Sequence, residues 1–234
     1  MSIQLQHIHK HYDKLVIYRD FSLALPDKTI SCILGPSGCG KTSLLNMIGG
    51  ITSQDGGDIK GVENKKISFI FQEPRLLPWK TVRGNLDFVL RHQDAHDKEK
   101  AIDNNLILVG LQDFAHYYPE QLSGGMKQRV AIARAFSYPS DLILMDEPLK
   151  TLDPRLKWNL MRTFLRLWEN DRRTVVFVTH DVDEALVLGE EIFVFSRPPV
   201  QVISHITNPL ERGQKNLDNR AFFEQKQNIM RQLD

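Results

Sequence analysis

Five short runs of nearly unbroken apolar residues punctuate the chain: "TISCILG" (29–35), "KISFIF" (66–71), "DLILMDE" (141–147), "TVVFVTH" (174–180) and "EIFVFS" (191–196). A strand with one face in water alternates apolar and polar residues. These runs do not, so each predicts a strand covered on both faces. Between them the period changes. "KTSLLNMIGG" predicts a helix closed by glycine, and "PRLKWNLMRTFLRLWEN" a longer amphipathic one. Strands alternating with helices predict an α/β domain around a mostly parallel sheet. Residues 73–136 break the alternation with a proline-flanked loop "EPRLLPW", a helix "TVRGNLDFVLRH", a charged stretch "QDAHDKEK" and further helix. They predict a helical subdomain inserted into a core of residues 1–72 and 137–210. "SRPPVQVISHI" predicts a terminal hairpin, and the polar tail from 211 to 234 a loosely docked helix.

With 234 residues the chain can form one large domain or two small ones around a sizeable core. Thirty Lys and Arg against 29 Asp and Glu leave a net charge of +1, which provides no basic surface for nucleic acid. Two cysteines, Cys32 and Cys39, are too few for a disulfide framework and fit a reducing compartment. The polar start "MSIQLQHIHKHYDK" lacks the apolar centre of a secretory signal, and no apolar window is long enough to span a bilayer. Work at a membrane therefore requires a spanning partner chain.

"GPSGCGKT" (35–42) follows an apolar run and opens a helix, the setting that the phosphate-binding loop G-x-x-x-x-G-K-[ST] requires. Gly35, Gly38 and Gly40 let successive N–H groups point inward, Lys41 reaches the terminal phosphates, and Thr42 offers a hydroxyl to Mg²⁺. "LILMDEP" ends a buried strand in two carboxylates, on the edge where open α/β sheets bind ligands. Asp146 suits Mg²⁺ and Glu147 an attacking water, a solvated pair before a loop being the plainer alternative. His180 ends another apolar strand on that edge. A lone histidine there is more often structural, and Asp181 with Glu184 forms a D-x-x-E capping box that needs no further function. Asp153 before Pro154 is equally an ordinary helix start.

"LSGGMKQR" (122–129) raises a different question. Ser123 can cap the helix that follows, but Gly124 and Gly125 cost that helix about 2 kcal/mol. What they provide is bare backbone at the positive end of a helix dipole, open to an anion. Two other patterns carry less. His7, His9 and His11 of "HIHKH" would share one face of a strand; without a nearby carboxylate or cysteine, metal binding is the lesser reading. "DIKG" (58–61) fits D-x-x-G, but no N-K-x-D accompanies it.

In order and approximate spacing, "GPSGCGKT", Gln72 after "ISFIF", "LSGGMKQR", "LILMDEP", "TLD" and "TH" resemble the ATP-binding-cassette ATPases over nearly the whole chain. The resemblance implies a P-loop NTPase core of RecA-like type with an N-terminal antiparallel β part, acting on ATP with Mg²⁺. It implies that Tyr12 stacks on adenine and that Gly35, Pro36, Ser37, Gly38, Cys39, Gly40, Lys41, Thr42 and Ser43 bind the nucleotide. Thr42, Gln72 and Asp146 then serve the metal, and Glu147, Gln72 and His180 the reaction. In that family two copies pack head to tail. By resemblance, Leu122, Ser123, Gly124, Gly125 and Met126 of one copy close over the γ-phosphate held by the other, with Asp153 at the seam. The family's typical residues differ at Met126, where glutamine is more widespread, and at "LKT" before Leu152.

"FQEPRLLPWKTVRGNL" is similar to the ATPases of nitrate, sulfonate and taurine importers and their thiamine-precursor relatives. This implies a peripheral place on the cytoplasmic face of the membrane, a separate permease and, indirectly, a solute-binding protein. No residue of this chain reads the solute. Leu76, Leu77 and Trp79 lie on a loop braced by Pro74 and Pro78; they either grip the permease or fold back onto the helical subdomain. A soluble cassette ATPase acting on DNA or ribosomes is the alternative, although such proteins usually carry a coiled-coil insertion or a second cassette. A plain P-loop kinase leaves "LSGGMKQR" without a use.

Overall fold

Each of the five apolar runs becomes a strand in the computed structural model, which describes residues 2–91, 94–150, 152–211 and 214–233. The chain forms two units, of which the first comprises Met1–Lys65, Leu144–Glu147 and Arg172–Asp234. Its central strand β3 (Ile30–Leu34) pairs in parallel with β7 (Thr174–Thr179) and β8 (Glu191–Phe195), Ile33 standing opposite Val178 and Phe193. On the far side of β7 lies β6 (Leu142–Asp146), whose last three residues belong to this unit. β9 (Val202–Thr207) returns antiparallel to β8 and completes the expected hairpin. Every residue of β3, β6 and β7 is buried, which is the physical reason their sequences do not alternate. Helices α1 (Lys41–Ile48) and α6 (Val182–Leu188) follow β3 and β7 in the chain.

The antiparallel part is a second sheet in the order β2-β1-β4, built from β1 (Ile3–Tyr12), β2 (Leu15–Leu25) and β4 (Gly56–Lys60). A bulge between Leu5 and Ile8 moves the buried side of β1 from odd to even positions, and His7 sits in it with φ 53°. His7 and His11 then pair with Asp20 at 2.7 Å and Asp55 at 2.8 Å. Among the described residues no His, Cys, Asp and Glu cluster is arranged to hold a metal ion.

The tail departs from the loose docking expected of it. In α7 (Arg220–Leu233), Phe222 and Ile229 lie two turns apart and are both fully buried, while Lys226 Nζ reaches Asp183 of α6 at 2.7 Å. A mostly polar sequence hides this anchor because two apolar side chains on one helical face suffice to seat it.

The second unit comprises Lys66–Ile143 and Pro148–Asp171. β5 (Ile67–Ile70) lies beside the start of β6, and four helices follow: α2 (Val82–Val89), α3 (Ala95–Leu108), α4 (Gly124–Ser137) and α5 (Pro154–Asn170). Val82 and Leu86 of α2, Ile102 and Leu106 of α3, and Val130 and Ala133 of α4 form one core. Asn85, fully buried on α2, ties down the preceding loop: its Oδ1 accepts from Leu77 N at 2.8 Å and its Nδ2 donates to the carbonyls of Leu77, Lys80 and Thr81. A polar side chain here satisfies a bend whose backbone groups have no ladder partner. No helix among the described residues is long and apolar enough to cross a membrane.

Candidate functional site

The carboxyl ends of β3, β6 and β7 bring together the candidate residues of the first unit. The chain leaves β3 through Gly35–Gly40 and enters α1 at Lys41. Gly40 has φ +108°, and a Cβ there would lie 2.5 Å from Ile17 Cγ2, so no other residue fits. Tyr18 secures the same point, its buried hydroxyl donating to Gly40 O at 3.0 Å. Burial pushes the Tyr18 phenol well above its ordinary value, which keeps it a donor. Lys41 is only 4% exposed and folds across the loop, Nζ donating to Gly35 O at 2.7 Å and Pro36 O at 2.9 Å. Cys39 is buried beside it; burial raises its thiol more than Lys41 lowers it, so it stays protonated. Ser43 is half-buried in the first turn, and Tyr12 stands exposed at the end of β1, its ring centroid 5.3 Å from Lys10 Nζ.

β6 delivers Asp146 to α1: Thr42 Oγ1 donates to Asp146 Oδ1 at 3.0 Å. The next residue, Glu147, adopts φ +40°, an uncommon conformation for a residue with a Cβ, and its N–H is held by Val178 O at 3.1 Å. This turns the Glu147 carboxylate to His180, with Oε1 3.2 Å from Nδ1. The backbone around His180 is fixed by its neighbours. Thr179 Oγ1 accepts from Asp181 N at 3.0 Å and donates to Glu184 Oε2 at 2.6 Å, while Asp181 caps α6. Asp181 is thus the cap expected of it. Glu184 is not the second half of a capping box: it is buried and answers the Thr179 hydroxyl instead.

The signature residues lie in the second unit. Ser123 Oγ accepts from Met126 N at 3.3 Å and caps α4. The two glycines differ. A Cβ on Gly124 would meet nothing within 4 Å, whereas one on Gly125 would come within 2.5 Å of Leu156 Cδ2 on α5. Gly125 is therefore explained at least in part by packing inside the chain, and Gly124 alone leaves backbone open without an internal reason. Leu122 is buried in the helical core and Met126 packs against it, which accounts for an apolar residue at 126. Asp153 caps α5, accepting from Leu156 N at 3.0 Å. Gln72 is exposed two residues after the end of β5. Beyond it, Leu76 packs against the helical core, Leu77 is half-buried with its backbone bound by Asn85, and Trp79 is 71% exposed. Tyr18, Thr179 and Asn85 were not legible as site residues, because each acts through a neighbour that only the fold brings to it.

Residues 18–150 match the family described as ABC transporter. The chain is 34% identical to the aliphatic sulfonates import ATP-binding protein of Bacillus cereus, over 100% of this chain and 96% of that one. It is 36% identical to the nitrate import ATP-binding protein of Synechococcus elongatus, over 84% and 76% of the two chains. Identity to the taurine import ATP-binding protein of Roseobacter denitrificans is 38%, over 81% and 74%. Among solved structures, a dimeric post-hydrolysis ATP-binding cassette bound to ADP and Pi superposes with a TM-score of 0.78 at 28% identity, over 89% and 100%. A dimeric bacterial ABC transporter cassette gives 0.73 at 30% identity, over 82% and 93%.

Proposed function

The chain belongs to the ABC transporter family, and on that premise we propose that it is the ATP-hydrolysing subunit of an importer, working with a separate permease at the cytoplasmic face of the membrane. The solute is of the nitrate, sulfonate or taurine class, with thiamine precursors beside them. One observation carries the chemistry: a phosphate loop, a Thr42–Asp146 oxygen pair and a Glu147–His180 pair stand at neighbouring strand ends of a single unit.

Hydrolysis breaks the bond from the γ-phosphorus to the bridging oxygen while a water oxygen bonds in line on the opposite side. The loop N–H groups hold the phosphates, and Lys41 Nζ, which donates to the Gly35 and Pro36 carbonyls at 2.7 and 2.9 Å and weakly to Cys39 Sγ at 3.9 Å, turns the last of these protons to a terminal phosphate oxygen. Thr42 Oγ1 and the Asp146 carboxylate are hard oxygen donors 3.0 Å apart and fit Mg²⁺, which when bound neutralises phosphate charge. Glu147 takes the proton of the attacking water. His180, 3.2 Å from that carboxylate, positions it and is the residue of this pair that senses the γ-phosphate.

Leu122–Met126 of one copy then close on the nucleotide held by Gly35–Ser43 of a second copy, with Asp153 at the seam. The open backbone at Gly124 supports this. ATP favours the closed pair because only that state contacts the nucleotide from both sides, and hydrolysis releases it. On the permease side, Trp79 is the residue free to make contact. Trp79→Asp is expected to leave ATP hydrolysis intact and to abolish co-purification with the permease and solute uptake; retention of both takes Trp79 out of the permease contact, whereas a wild-type cassette that co-purifies with no permease removes the importer reading in favour of a soluble cassette ATPase. Leu76→Asp has a different expected outcome. It puts a carboxylate against the helical core, and thermal melting is expected to show a loss of about 1–3 kcal/mol.

A further inference from the structure

Within the second unit, a cavity of about 260 Å³ is walled by Ile67, Ser68, Phe69, Val89, Ala135 and Tyr138. Its one charged lining residue is Arg134, on α4. The guanidinium is half-buried, and burial pulls it below its ordinary value. Among the described residues its polar contact is a single long hydrogen bond, Nη1 to Asn85 Oδ1 at 3.4 Å, on an oxygen already taken by Leu77 N at 2.8 Å. Arginine stays charged at any pH a protein meets, and an uncompensated charge withdrawn from water is unfavourable unless something pairs with it. Walls that are mostly apolar around a bidentate donor fork are suited to a carboxylate on an apolar stem. The contrast with Arg83 is direct: that side chain is satisfied by Asp103 and Glu99 of its own chain.

We infer that this cavity is the seat of an acidic side chain of the permease, Arg134 pairing with its carboxylate while the cavity walls take the apolar part. The inference rests on the importer reading and adds to it the chemistry of the partner. Asn85 joins the two contact points, since the same amide that meets Arg134 holds Leu77 and the bend before Trp79. The permease is thus gripped by an exposed tryptophan and by a recessed arginine fixed to one framework.

The test uses the cassette co-expressed with its permease. Arg134→Leu removes a half-buried charge and keeps volume, so the isolated subunit is expected to melt at or above the wild-type temperature and to keep its ATP-induced thermal shift. Its co-purification with the permease is expected to fall at least about tenfold. Arg134→Glu is expected to lose assembly likewise, and to regain it when one acidic residue in the permease's cytoplasmic loops is changed to arginine in a scan of those residues. Wild-type assembly of Arg134→Leu, or the lack of any rescuing position for Arg134→Glu, overturns the proposal. So does binding of the isolated subunit to phosphatidylglycerol vesicles that Arg134→Leu abolishes, which assigns the cavity to a lipid headgroup. If Arg134→Leu assembles while Trp79→Asp does not, the pairing fails and the Trp79 contact stands; if both assemble, Trp79 is taken out of the contact as well; if the wild-type cassette does not assemble with a permease, the importer reading itself fails.

Discussion

Glu147→Gln is expected to bind ATP as the wild-type chain does and to hydrolyse it about 10²–10⁴ times more slowly. The substitution keeps the shape of the side chain and an oxygen for His180 Nδ1, which stands 3.2 Å away, but removes the basic oxygen that takes the proton of the attacking water. At about 1.4 kcal/mol per decade the expected loss is roughly 3–5.5 kcal/mol of transition-state stabilisation, with little change in ground-state binding. Single-turnover hydrolysis and equilibrium binding of a labelled nucleotide, measured on one preparation, check it. A wild-type rate would leave the Glu147–His180 pair without a catalytic use, and the positive φ of Glu147 without a functional reason.

Lys41→Ala is expected to weaken ATP binding about 30-fold or more and to abolish turnover, the first effect being that of removing a close charge partner from a phosphate. The geometry supports a large effect. Lys41 is the cation that the loop itself provides, it is 4% exposed, and its Nζ is held over the loop by the carbonyls of Gly35 and Pro36 rather than left to swing in water. Holding it there spares the rotamer freedom that a solvated lysine would lose on meeting the nucleotide. Calorimetric titration with ATP and Mg²⁺ measures the first effect and phosphate release the second. Unchanged affinity would remove the phosphate loop from nucleotide binding.

Lys41 was readable before any fold was known, because the G-x-x-x-x-G-K-[ST] pattern is local and sits between a strand and a helix that are themselves readable, and Glu147 was readable because it ends an apolar run. The same is true of β3, β6, β7 and β8, whose apolar runs reflect burial on both faces. The three-stranded sheet was not readable strand by strand. β1 is half-exposed and bulged, and β4 is a short "GGDIK" with little apolar content. The Glu147–His180 contact could be expected only in outline, since its 3.2 Å depends on β6 lying beside β7 and on the left-handed turn at Glu147. At the signature the sequence treats Gly124 and Gly125 alike. Their neighbours distinguish them, Leu156 closing on one and open space facing the other. Leu76 and Trp79 divide for the same reason: two apolar residues of one loop, of which the helical core takes the first and leaves the second exposed.

Completion of one copy's phosphate site by Ser123 and Gly124 of another is read out by size-exclusion chromatography with light scattering. Glu147→Gln with ATP is expected to run as a dimer and without nucleotide as a monomer, since the trapped nucleotide holds the closed pair together. Adding Ser123→Arg places a long side chain beside the open backbone at Gly124, and is expected to return the ATP-loaded protein to a monomer that still binds ATP. An ATP-dependent dimer that persists in the Glu147→Gln, Ser123→Arg double variant would rule out a site completed across two copies.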